Sequence, residues 1–250
     1  MRRVAAVLLF ALATGGCGGN DASDSDELTV SAASSLTEPL EAYGETTDAD
    51  ERFSFAGSDD LAAQIREGAP VDVFAAANTS LPEALFDEGL VEESEVFISN
   101  QLVLAVPAGS NIVGIGGLVR EEADLVIGAE GVPVGDYTRE VIGRQPETEA
   151  RAILANVRSE EPDVGGVVGK LTQGAADAGL LYITDVTAAE DDVRAIELPD
   201  ELQPSVEYGV AVVKGAKEPE AARRFIDGLL EGAGLRAMRR AGFEPPPASP

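Results

Sequence analysis

"LTVSAASSLTEPL" (residues 28–40) is the stretch on which the reading of this chain turns. Leu28 to Val30 is a short apolar run that gives way to small residues and paired serines, and Glu38 follows Ser35 by three positions. A strand that empties into hydroxyls at a helix start has two readings. Ser35-x-x-Glu38 is a capping box that satisfies free backbone N–H groups. It is also an anion seat, since a helix start offers unpaired N–H groups and the positive end of the dipole. The motif alone leaves both open.

Outward from this stretch, apolar runs alternate with amphipathic ones, the pattern of an α/β chain. Strands are predicted at 28–32, 52–56 and 71–76, with helices near 36–46, 59–67 and 80–89. A second series follows, with strands at 101–108, 124–130, 178–184 and 193–198 and helices near 136–144, 148–157 and 164–173. One more strand at 206–213 and helices near 218–230 and 232–240 complete the pattern. No repeat period is visible, and no segment after residue 17 has the length and apolarity of a membrane span.

The first residues carry a different signal. Met1-Arg2-Arg3, an apolar run from Val4 to Ala13 and then Thr14-Gly15-Gly16-Cys17 form a secretory signal over residues 1–16. Cys17 is the sole cysteine, so no disulfide can form within the chain. Its place after two glycines resembles the lipobox of bacterial lipoproteins, which implies lipidation at Cys17 and a polar tether over residues 17–26. Removal of residues 1–16 leaves 16 basic residues against 45 acidic ones, a formal −29. Such a charge argues against nucleic acid as a partner and against adhesion to anionic headgroups, so the membrane is expected to be met only through a lipid.

Most catalytic equipment is missing. The chain has no histidine, which removes Ser-His-Asp catalysis and histidine metal sites. A single cysteine removes thiolate clusters, no Ser-x-x-Lys occurs, and "GIGG" (114–117) lacks the Lys-Ser/Thr of a phosphate loop. A hydrolase with Ser35 or Ser58 as nucleophile would have no visible base. The expectation is a protein that is no enzyme and has no cofactor.

Four further segments share the character of the first. "FAGSDDLAAQIREGAPVDVFAAAN" (55–78) puts Ser58 between a strand and a helix, with Asp59 and Asp60 in the helix's first turn. "GVPVGDY" (131–137) is a Pro/Gly turn leading into a helix, and "PDVGG" (162–166) offers Asp163 as an N-cap before Val164. "GAADAGLLYITDV" (174–186) ends a strand on Tyr182. Each has a structural excuse of its own. Together they read as one site built from helix starts and hydroxyls.

At this point the sequence resembles the molybdate-binding receptors of ABC import systems, within the type II periplasmic-binding-protein superfamily. "AASSLTE", "LAAQIREGAPVDVFAAAN", "VPVGDY" and "AADAGLLYITDV" carry the resemblance, over about residues 28–245. It implies a two-lobed type II fold with a ligand cleft and two chain crossings. Lobe I would take residues 27–98 and 207–250 and lobe II residues 99–206, with hinges near 97–100 and 206–209. The implied oxyanion ligands are Ser35 and Ser58 by hydroxyl and backbone, Val134 and Val164 by backbone N–H, and Tyr182 by its phenol. The implied ligand is molybdate, with tungstate beside it, and sulfate or another small tetrahedral oxyanion is the alternative. The implied partners are the permease and ATPase subunits of an ABC transporter, served by an extracytoplasmic monomer. Gly57 stands where that family often has a small hydroxyl residue, and Asp59 and Asp60 put carboxylates close to Ser58.

The chemistry fits independently. A dianion without a proton needs donors only, and hydroxyls and backbone N–H groups supply them without a balancing cation. Residues 28–51 contain no lysine or arginine. Phosphate, which carries a proton near neutral pH, also needs an acceptor, and none of the five positions supplies a carboxylate.

Overall fold

The structure, a computed structural model, describes residues 27–47, 49–120 and 123–246. The predicted signal segment, Cys17 and the tether lie outside the described residues. Two five-stranded mixed sheets carry the chain. The first is built from β1 (Glu27–Ala33), β2 (Asp50–Ala56), β3 (Val73–Ala76) and β4 (Glu95–Asn100), with helices α1 (Thr37–Gly44), α2 (Ser58–Arg66) and α3 (Ser80–Asp87) between them. The second is built from β5 (Leu102–Pro107), β6 (Leu125–Gly128), β7 (Val157–Glu161), β8 (Ala178–Tyr182) and β9 (Val193–Glu197). Its helices are α4 (Gly117–Arg120), α5 (Pro133–Gly143), α6 (Glu147–Ala155), α7 (Val164–Thr172) and α8 (Ile183–Ala188). The chain then returns as β10 (Val206–Val212) in the first sheet and ends in α9 (Pro219–Glu231) and α10 (Ala233–Arg240).

The two sheets follow one plan. The first has the order β2-β1-β3-β10-β4 and the second β7-β6-β8-β5-β9. In each, three parallel strands are followed by an antiparallel pair, since β10 runs against β3 and β4 and β5 runs against β8 and β9. β1 is central among parallel neighbours, and this explains its composition. Leu28, Val30, Ala32 and Ala33 are all buried, as a strand covered on both faces requires. Asp72, itself buried, accepts the N–H groups of Thr29 at 2.8 Å and Lys217 at 2.7 Å. A carboxylate with several backbone donors is stable inside, and this one ties the entry to α9 onto β1.

Two strands and two helices stand outside the predicted set. β4 and β7 are short and rich in polar residues, and α4 and α8 have only four and six residues. The passages between sheets fall at Gln101, between β4 and β5, and in the stretch 198–205 before β10. Residues 206–209 are thus already paired with β4, through Val206 opposite Asn100.

Candidate functional site

All six parallel strands end at one cavity between the two sheets. Ala33 closes β1, Ala56 closes β2 and Ala77 follows β3 on one side. Val132 to Val134 follow β6, Asp163 and Val164 follow β7, and Tyr182 closes β8 on the other. Carboxyl ends of parallel strands are where open α/β sheets bind ligands, because the helix starts that follow point their N–H groups there. Ser34, Ser35, Gly57 and Ser58 complete the lining, and no lysine or arginine is among these residues. The cavity is small, about 10 Å³, room for little more than a water molecule.

The five residues singled out in the sequence thus line a single cavity, and neither serine among them caps a helix. Ser35 is no N-cap: Leu36 occupies that position before α1, and no side chain caps the helix. The Ser35 hydroxyl instead lies 3.0 Å from the phenol of Tyr208, 173 residues away. Ser58 is the first helical residue of α2, with Gly57 at the N-cap. Its Oγ accepts the Ala77 N–H at 3.1 Å, which leaves its own proton free for another acceptor. Ser35 and Ser58 are nearly buried, at 8% and 2% exposure, so these hydroxyls are not dissolved in bulk water.

On the other side, α5 begins at Pro133 rather than near 136, which sets Val134 in its first turn. Proline at the first position is pre-shaped for a helix and lacks the N–H that would be unpaired there. Val164 opens α7, whose N-cap Asp163 accepts the Gly166 N–H at 2.9 Å, as the sequence predicts. First-turn N–H groups have no partner within their own helix, so those of Val134 and Val164 remain available. Tyr182 is 1% exposed and its phenol oxygen has no hydrogen-bond partner. Burial, reinforced by Tyr208, Tyr137 and the Asp185 and Asp136 carboxylates, pushes its ionisation well above the usual tyrosine range, so it keeps its proton. A buried donor without an acceptor costs free energy unless a ligand supplies one.

Carboxylates stand close by. Asp163 lines the cavity but is engaged as a cap. Asp59 sits behind Gly57 with a buried, unpartnered Oδ1, and burial first, then Asp60 and Asp136, raises its pKa against the pull of two backbone hydrogen bonds. Gly57 itself is fixed by space. A Cβ there would lie 2.4 Å from the Pro162 carbonyl oxygen and 2.8 Å from Asp59 Oδ1, so only glycine lets the Pro162 loop approach this closely. Asp185, half-buried in the first turn of α8, has one buried, unpartnered oxygen and a pKa pushed up to about 7, chiefly by burial of that carboxyl.

Residues that sequence reasoning missed stand behind this lining. Asn100 and Tyr208 lie at the two ends of the sheet passages and neither touches the cavity. Nothing in the local sequence distinguishes them.

Known proteins resemble this chain in sequence and in fold. The ModA molybdate-binding protein of Mycobacterium tuberculosis is 31% identical over 97% of this chain and 96% of its own length. That of Haemophilus influenzae is 30% identical over 88% and 90%. The periplasmic molybdate-binding protein of Azotobacter vinelandii superposes with a TM-score of 0.78 over 88% of this chain and all of its own, at 20% identity, a likeness of fold. The M. tuberculosis sulfate-binding protein SubI reaches the same TM-score at 16% identity, over 88% of this chain and 86% of its own, so fold similarity alone does not choose between oxyanions. The family described as bacterial extracellular solute-binding protein matches residues 28–244. With six parallel strands converging on one small cavity between two like sheets, the chain belongs to the bacterial extracellular solute-binding proteins, the family that includes the ModA receptors.

Proposed function

We propose that this protein captures molybdate, and tungstate with it, outside the cytoplasm and delivers it to the permease and ATPase subunits of an ABC importer. One observation carries the reading: the cavity is lined by hydroxyls and helix starts, without a lysine or arginine, and one of those hydroxyls is a buried phenol lacking an acceptor. A tetrahedral dianion supplies acceptors on every side, and hydrogen bonds to a charged group contribute about 1.5–3 kcal/mol each. Ser35, Ser58, Val134, Val164 and Tyr182 are the proposed ligands. The full-length likeness to two ModA proteins at 30% identity or above supports molybdate over sulfate.

The two lobes, one carried by each sheet, close on the anion by hinge motion at the passages between the sheets, Gln101 and 198–205. A lipid on Cys17 holds the monomeric receptor at the membrane. No catalytic step belongs to this reading.

Calorimetric titration of the protein lacking residues 1–17 tests it. Molybdate and tungstate should bind at one per chain and raise Tm, because ligand binds only the folded state. Sulfate and phosphate at equal concentration should raise Tm far less. Equal shifts for sulfate and molybdate would replace the reading by a general oxyanion receptor.

A further inference from the structure

We propose that Asn100 and Tyr208 are positioning residues that lock the Ser35 hydroxyl as a donor into the cavity, making this wall select against anions that carry a proton. The inference rests on the molybdate reading above and extends it to residues that touch no ligand.

The direction of the backbone and amide hydrogen bonds follows from chemistry. The Gln101 backbone N–H can only donate, and it donates to Asn100 Oδ1 at 2.9 Å. This fixes which end of the amide is oxygen. Asn100 Nδ2 can then only donate, to Thr184 Oγ1 at 2.9 Å and to the Tyr208 phenol oxygen at 3.5 Å. The Tyr208 and Ser35 hydroxyls lie 3.0 Å apart and either oxygen can accept. We take Tyr208 as the donor, because its oxygen already receives from Asn100. Ser35, having accepted, keeps its own proton for the cavity that it lines. The chain of donors runs one way, from the backbone at the first sheet passage to the ligand.

The surroundings hold this chain still. Tyr208 is fully buried, and the rings of Phe97, Phe243 and Tyr182 meet it edge-on at 6.4, 5.4 and 5.8 Å. Burial and the nearby Asp185 keep its phenol protonated and thus able to donate. Aromatic packing on several sides leaves a phenol little rotational choice. The hydroxyl of Ser58 is committed in the same sense, since it accepts from the Ala77 N–H. Both serines therefore face the cavity as donors. An anion that bears a proton, such as phosphate near neutral pH, meets a hydrogen where it needs a lone pair.

A double-mutant cycle on the protein lacking residues 1–17 tests this, with Tyr208→Phe, Ser35→Ala and the pair, titrated with molybdate and, in competition, with millimolar phosphate. Tyr208→Phe should weaken molybdate binding about five-fold in the parent and have almost no effect once Ser35 is alanine. It should also let phosphate displace molybdate where the parent resists. Near-UV circular dichroism and Tm establish that each variant is folded. A loss in Tyr208→Phe that persists undiminished on the Ser35→Ala background, or a variant that phosphate fails to displace, overturns the proposal. A parent that prefers sulfate removes the molybdate reading, and the same cycle is then read on sulfate. A parent that binds none of these anions overturns both. Should Tyr208→Phe fail to fold, Asn100→Ser removes the donor one step earlier, and the same coupling to Ser35 is required of it.

Discussion

Tyr182→Phe is expected to weaken molybdate binding by about ten- to a hundred-fold while leaving the empty protein at least as stable as the parent. The substitution deletes one oxygen and no carbon. Within the protein that oxygen is buried and has no partner, so its loss breaks no hydrogen bond between protein groups. With the anion present, the same oxygen is the proposed donor from the end of β8, and no cation lines the cavity to replace it. Stability and affinity should therefore move in opposite directions, or stability should hold while affinity falls. Titration calorimetry and a melting curve without ligand read the two effects separately. Unchanged affinity would remove Tyr182 from the site.

Gly57→Ala should cost about a hundred-fold in affinity, the upper part of the 1–3 kcal/mol that overpacking costs. Gly57 has φ −58° and ψ 137°, values open to any residue, so the backbone does not require glycine. What requires it is the Pro162 carbonyl of the facing loop, 2.4 Å from where the Cβ would be. Pro162 precedes α7 of the second sheet, while Gly57 precedes α2 of the first. The clash thus exists only when the two lobes are together. A variant with parental Tm when empty and a nearly abolished ligand-induced rise would locate the defect in closure. Binding at parental strength would mean that the anion is held without the lobes approaching to this distance.

The parallel strands and the residues at their ends were legible because each is marked twice, by an apolar run and by the serine, proline or tyrosine that follows it. "LTVSAASS" and "GLLYITDV" are of this kind. β7, "VRSEE", carries no such mark. It is the edge of its sheet, pairs only with β6 and exposes alternate residues, and edge strands are commonly charged. The start of α8 was absorbed into the preceding strand because Ile183 and Thr184 are β-branched, and the helix packs against β5, β8 and β9. The expected cap at Ser35 failed for a reason no local pattern can hold. Its hydroxyl is taken by Tyr208, far along the chain, and the helix starts one residue after Leu36 instead. The whole layer behind the site, Asn100 and Tyr208, is of this long-range kind.

The seat without a cation also has a kinetic consequence. The chain carries a formal −27, and its proposed ligand is a dianion, so the two repel on approach. No lysine or arginine is among the residues that line the cavity. Dissolved ions shorten the reach of that repulsion to about 10 Å at 0.1 M. Added salt should therefore speed the association of anion and protein, the reverse of what arginine-lined anion sites show. Dissociation depends on buried hydrogen bonds that salt hardly reaches, so the rate of release should stay level. Such a receptor captures its ligand faster in saline water than in fresh.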